Sequence, residues 1–186
     1  MSKNRLRDII ILGLFISISV VLTRYASLRV PFFGVEGVRF GFGKLPIILS
    51  GIIFGPILGF VVGALADIIG YAISPIGAYM PHFTLTSALN GLIPGIIVHY
   101  LFRNKLIKRS IINKLIFFGI LISQLLIELF MIPYFLNIYF KIPWKMLMIP
   151  RLITTPVYIV FYYFFIVYFI KIPIFSKYNS AINTTS

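Results

Sequence analysis

Glycine recurs at every fourth position from Gly51: Gly51, Gly55, Gly59 and Gly63. The same step then lands on Asp67 and Tyr71. Residues four apart share a helix face, so Gly59, Gly63, Asp67 and Tyr71 form one stripe. Small residues on such a stripe let a second backbone come close, as in paired membrane helices. That reading accounts for the glycines and leaves Asp67 unexplained. A carboxylate in so apolar a segment is costly unless it faces a partner, water or a ligand. The stretch over residues 39–95 therefore points to close-packed membrane helices around a carboxylate that must be matched.

Composition agrees. Of 186 residues, 60% are hydrophobic and only 11% charged, with mean hydropathy +1.02. A soluble domain carries about a quarter charged residues. The apolar runs are too many and too long for one soluble core. Cysteine is absent, which excludes disulfides, thiolate chemistry and Cys metal sites. His82 and His99 are too few for a usual zinc site. There is no P-loop, HExxH or GxSxG, so nothing calls for a cofactor. Seventeen basic against four acidic residues give a net charge of +13. In a membrane chain that balance speaks first to topology, then to anionic ligands, and least to nucleic acid. Residues 9–22 are apolar with no small-residue cleavage site after them, and read as a membrane helix rather than a signal peptide.

Six helices are expected, at about 7–25, 44–54, 56–73, 83–102, 115–137 and 146–170. They form a single membrane domain over residues 1–175, followed by a short polar tail, 176–186, expected to be disordered and cytoplasmic. The second helix spans only roughly 16 Å, half a membrane. Gly55-Pro56 supplies its stop and the restart of the third. A half-span implies that the preceding loop dips into the membrane, where non-helical backbone survives only if protein buries it or it lines a cavity. That loop, ASLRVPFFGVEGVRFGFG, sets Phe32, Phe33, Phe40 and Phe42 among Gly, Pro and charge. It reads as a cover folded back over the protein, or as an interfacial anchor.

The fourth helix opens on Thr84, Thr86, Ser87 and Asn90. These serve interhelical hydrogen bonds or a ligand; the two readings are even for Ser87, and the ligand is favoured for Asn90. Gln124 and Glu128 lie one turn apart in the fifth helix, and Arg151 stands between Pro150 and Pro156 in the sixth. Six spans put both termini on one side. Ten Lys/Arg (3, 5, 7, 103, 105, 108, 109, 114, 171 and 177) then share that side, which the positive-inside rule makes cytoplasmic. The other seven, Arg24, Arg29, Arg39, Lys44, Lys141, Lys145 and Arg151, gather at the outer end against the rule. An anionic ligand captured from outside explains them.

The run GFGKLPIILSGIIFGPILGFVVGALADIIGY, followed by P-x-GAYMPHFTLTSALNGLIPG, resembles the substrate-binding S components of energy-coupling factor (ECF) vitamin importers. Among these it is most similar to the folate-specific members. The resemblance covers essentially the whole chain, although its specific motifs lie between Gly41 and Gly95. It implies an all-α integral membrane protein of six helices, with the long outer loop between the first two acting as a lid. It further implies high-affinity capture of folate or a folate derivative from outside, and docking on a module of a T component and two ATPase subunits. No ATPase activity, catalysis or cofactor belongs to the subunit itself. The family commonly carries Ala-xxx-Ala on the first helix for docking; Gly13 and Ser17 stand there in this chain.

Folate joins a flat pterin to a dianionic tail. Phe40, Phe42, Tyr71, Tyr79, Phe83 and Tyr134 are candidates to sandwich the ring. Asp67 is placed to accept two N–H bonds from the pterin amino edge, with Thr86 and Asn90 completing it. Arg24, Arg39, Lys44 and Arg151 are candidates to hold the tail or close the first loop over it. The competing expectation is that Asp67 simply pairs with Arg151 or Lys44. An S component for another vitamin or a pterin- or queuosine-like precursor is the main alternative function. An intramembrane enzyme using Asp67 or Glu128 is disfavoured, since neither has a second carboxylate, metal pair or nucleophile–base set in view.

Overall fold

Proline and glycine set the helix boundaries. The computed structural model describes residues 3–25, 28–29, 39–75, 78–101 and 109–170. The helices are α1 (Lys3–Arg24), α2 (Lys44–Phe54), α3 (Pro56–Ile73), α4 (Pro81–Leu101), α5 (Arg109–Gln124), a π-helical segment (Leu125–Met131), α6 (Ile132–Phe140) and α7 (Trp144–Ile170). α5, the π segment and α6 run on as one rod, so six helical rods make up the bundle. α2 and α3 fall where the sequence predicts. α4 starts two residues earlier than expected, because Pro81 fits a first helical turn. Between α1 and α2, strands β1 (Leu28–Arg29) and β2 (Arg39–Phe40) pair antiparallel, with Arg29 opposite Arg39. The rest of the expected lid, the basic segment 102–108 and the tail from 171 lie outside the described residues.

The bundle is apolar outside, and its apolar core also holds buried polar groups. Ile9, Ile10, Leu14 and Val21 of α1 are exposed, as are Ile57 and Ile73 of α3 and Ile153, Val160 and Phe164 of α7. Ser50, Asn90, Ser123, Gln124 and Thr155 are buried. Water disfavours an outer surface so rich in large apolar side chains, whereas a bilayer favours it. Among the described residues, four helical stretches are long and apolar enough to span: Leu6–Arg24, Pro56–Ile73, Ile111–Phe140 and Trp144–Ile170.

α4 lies against both α2 and α3, and the glycines explain how. A Cβ on Gly51 would sit 2.0 Å from the Gly91 carbonyl oxygen, and one on Gly91 would sit 2.3 Å from that of Gly59. The three backbones therefore meet at van der Waals distance with no side chain between them. Gly55 joins α2 to α3 with φ +101°, a conformation that other residues rarely adopt. Pro56 then has no N–H for the Ile52 carbonyl four residues back. His99 Nε2 donates to that carbonyl instead, at 3.1 Å, which gives this histidine a structural role.

The π segment has a similar cause. Pro133 lacks an N–H, and its ring would clash with the carbonyl four residues earlier in an α-helix. The chain widens to i→i+5 bonding, and Ile132 N–H reaches the Ile127 carbonyl. In that register the next carbonyl, Glu128, has no helical donor. Arg151 supplies one from α7, with Nη1 3.4 Å from the Glu128 carbonyl oxygen.

Candidate functional site

The start of α2 is sunk deep in the bundle. Tyr162, roughly 27 Å along α7 from its first residue, donates its hydroxyl to the Gly41 carbonyl at 2.9 Å. Ser19 Oγ donates to the Gly43 carbonyl at 2.7 Å. The loop entering α2 thus dips among the helices, as its half-length predicts, and protein groups satisfy its carbonyls. Phe42 packs edge-on against Phe161, with ring centroids 5.2 Å apart.

Lys44, the first residue of α2, meets Glu128 of the π segment and Arg151 of α7 there. Lys44 Nζ bonds one Glu128 carboxylate oxygen, and Arg151 Nη1 lies 3.0 Å from the other. The carboxylate side chain is 9% exposed, the Arg151 side chain 14% and the Lys44 side chain 30%. Beneath the ammonium lies the Tyr158 ring, 5.9 Å from centroid to nitrogen. A carboxylate inside the longest apolar span is matched here by two cations. Neither cation is bonded to Asp67, so the expected pairing of Asp67 with Arg151 or Lys44 is not what forms.

Asp67 anchors a second cluster, where α3 ends and α4 begins. Thr84 donates its hydroxyl to Asp67 Oδ2 at 2.7 Å. The Tyr79 and Thr84 hydroxyls lie 2.8 Å apart. Tyr71 and Tyr79 rings are 5.1 Å apart and tilted. Arg24 ties the end of α1 to the same region, donating from Nη1 to the Ser74 carbonyl at 2.9 Å. Of the expected ring and edge residues, Asp67, Tyr71 and Tyr79 are therefore brought together, joined by Thr84.

The remaining candidates divide. Phe83 lies 4.4 Å from the His82 ring, which stacks on Tyr139 at 4.7 Å and 8°. Tyr134 is 54% exposed on the outside of the bundle and is not brought to the others. Thr86 Oγ1 donates to the Phe83 carbonyl at 2.8 Å. Asn90 is buried; its Nδ2 donates to the Thr86 carbonyl, and its Oδ1 accepts from Gln124 Nε2, both at 2.9 Å. The interhelical role is thus the one Asn90 fills, and Gln124 is the partner that the sequence reading did not supply. Gln124 Oε1 is buried and has no hydrogen-bond partner among the described residues. Arg39 and Phe40 stand on β2, and their side chains lie outside the described residues. Gly13 and Ser17 are exposed on α1, and among the described residues nothing lies within 4 Å of a Cβ on Gly13.

Glu128 was the residue that sequence reasoning placed only as a candidate acid or base. Pro133, five residues on, was the available signal that the helix around it widens and turns a carbonyl and a carboxylate to one neighbour.

Comparison with known proteins bears on this arrangement. The family model for the ECF-type riboflavin transporter S component matches residues 3–180. A folate transporter, FolT, of Clostridium novyi (strain NT) is 34% identical over 150 residues, covering 81% of this chain and 80% of the relative. The crystal structure of FolT bound with folic acid superposes with a TM-score of 0.69 at 25% identity, over 84% of this chain and 89% of that one. The S component of a bacterial ECF transporter superposes with a TM-score of 0.63 at 20% identity, over 90% and 99%.

Proposed function

The chain belongs to the S components of ECF-type transporters, and we propose that it is the subunit that captures a folate from outside for an ATP-driven importer. Carrying this choice of ligand is the pairing of chemistries in one bundle. Asp67, hydrogen-bonded by Thr84 and flanked by Tyr71 and Tyr79, offers a carboxylate edge with aromatic faces. Lys44 and Arg151 offer cations. A pterin presents N–H donors and a flat ring to the first, and its glutamate tail presents carboxylates to the second. Riboflavin, the vitamin of the matching family model, has no anionic group for the second. The likeness to folate transporters supports the same choice.

In this reading Asp67 reads the pterin edge while Tyr71, Tyr79, Phe42 and Phe83 bound the ring. Arg24, Arg39, Lys44 and Arg151 receive the tail or hold the first loop across it. Thr86 and Asn90 act from behind, by fixing the start of α4. The subunit itself performs no catalysis. It works with a T component and two ATPase subunits, which meet it along Gly13 and Ser17. Both termini face the cytoplasm, as the excess of basic residues on that side argues. Cysteines placed at Ser2 and Ser180 should resist membrane-impermeant thiol reagents on intact cells; labelling of both would reverse the orientation. Binding of folate in preference to riboflavin by the purified chain tests the ligand, and the opposite preference overturns it.

A further inference from the structure

We infer that Glu128 is a place-holder carboxylate: it occupies Lys44 and Arg151, the groups that the ligand's carboxylate engages on binding. The inference rests on the folate reading and adds to it a residue that sets how strongly the anionic tail counts.

Three observations carry it. First, the cluster is unbalanced, with two cations around one carboxylate. Among the described residues one positive charge is left over, where three otherwise apolar helices meet. Such an excess is costly at membrane depth, and an arriving anion relieves it. Second, exposure is graded across the cluster. Lys44 is the most open member at 30%, while Arg151 and Glu128 are at 14% and 9%. An incoming carboxylate therefore meets Lys44 first and Glu128 last. Third, Glu128 is held by a second attachment. Its backbone carbonyl also faces Arg151 Nη1, because Pro133 and the π register leave that carbonyl without a helical donor. Arg151 thus keeps one bond to α5–α6 while its bond to the carboxylate exchanges. A structural ion pair would need one cation and no such spare attachment, and buried pairs of that kind add little stability.

The test compares folate with its diamide, in which both tail carboxylates are neutral amides, on the full chain in detergent. Wild type should bind folate more tightly than the diamide. Glu128→Gln removes the competing carboxylate and should widen that preference by roughly tenfold or more, the scale of a charge-assisted hydrogen bond. If Glu128→Gln does not purify as a folded particle, Glu128→Asp is read in the same way. Its shorter side chain loosens the grip on the two cations, and a widening of roughly threefold is expected. An unchanged or narrowed preference overturns the place-holder role, as would an equal weakening of both ligands, which marks a purely structural ion pair. Wild type that binds neither ligand overturns the folate reading and this inference together. Wild type that binds folate, with a variant whose preference is unmoved, overturns this inference alone.

Discussion

At the scale of single residues, the buried Glu128 and the part-buried Asp67 differ in what holds them. Glu128 is bonded by two cations, whereas the hydrogen bond shown at Asp67 comes from the Thr84 hydroxyl, a neutral donor. A carboxylate that accepts from one hydroxyl keeps lone pairs for further N–H donors. Asp67→Asn replaces an acceptor oxygen by an NH₂ group that opposes a pterin amino edge. It should weaken folate binding at least about a hundredfold, on the scale of losing a charged hydrogen-bond pair. The variant should still elute as a monodisperse particle. Unchanged folate affinity would remove Asp67 from the ligand edge. Asp67 was legible in the sequence because a lone carboxylate in an apolar run demands a reason. The pairing of Glu128 was not, because Lys44 and Arg151 lie 84 and 23 residues away in the chain. No local pattern announces such a contact.

At the scale of elements, the glycine stripe fixes how α2, α3 and α4 sit. Gly91→Ala places a methyl group 2.3 Å from the Gly59 carbonyl oxygen, where neither backbone can yield alone. Overpacking of this kind costs about 1–3 kcal/mol, so the thermal midpoint in detergent should fall by several degrees. An unmoved midpoint would show that the three helices are not locked there. α1 presents the opposite case, since Gly13 and Ser17 are exposed and, among the described residues, nothing lies within 4 Å of a Cβ on Gly13. Gly13→Trp should leave folate binding intact and abolish uptake in cells that carry the coupling module. Loss of binding instead would make that face internal packing. Helix ends at 54 and 56 were readable because Gly55-Pro56 dictates them. The π segment was not read, because a widened helix keeps the apolar periodicity of an ordinary one to within a residue.

At the scale of the whole molecule, length, hydropathy and glycine pattern were enough to specify six helical rods with a half-length second one. The depth of that half-helix follows from its shortness, and the bond from Tyr162 to Gly41 realises it. The assignment of polar side chains to the interior was less legible. The sequence favours a ligand role for Asn90, whereas the structure shows Gln124 opposite it as an interhelical partner. In the proposed site, an edge-reading carboxylate and a cationic end hold one ligand. Equilibrium titration of the purified, ligand-free chain with folate and with riboflavin tests that claim most directly. Saturable one-to-one binding of folate, at least about a hundredfold tighter than riboflavin, is the expected result, since several charge-assisted bonds separate the two ligands. Riboflavin binding as tight as folate, or tighter, would contradict it.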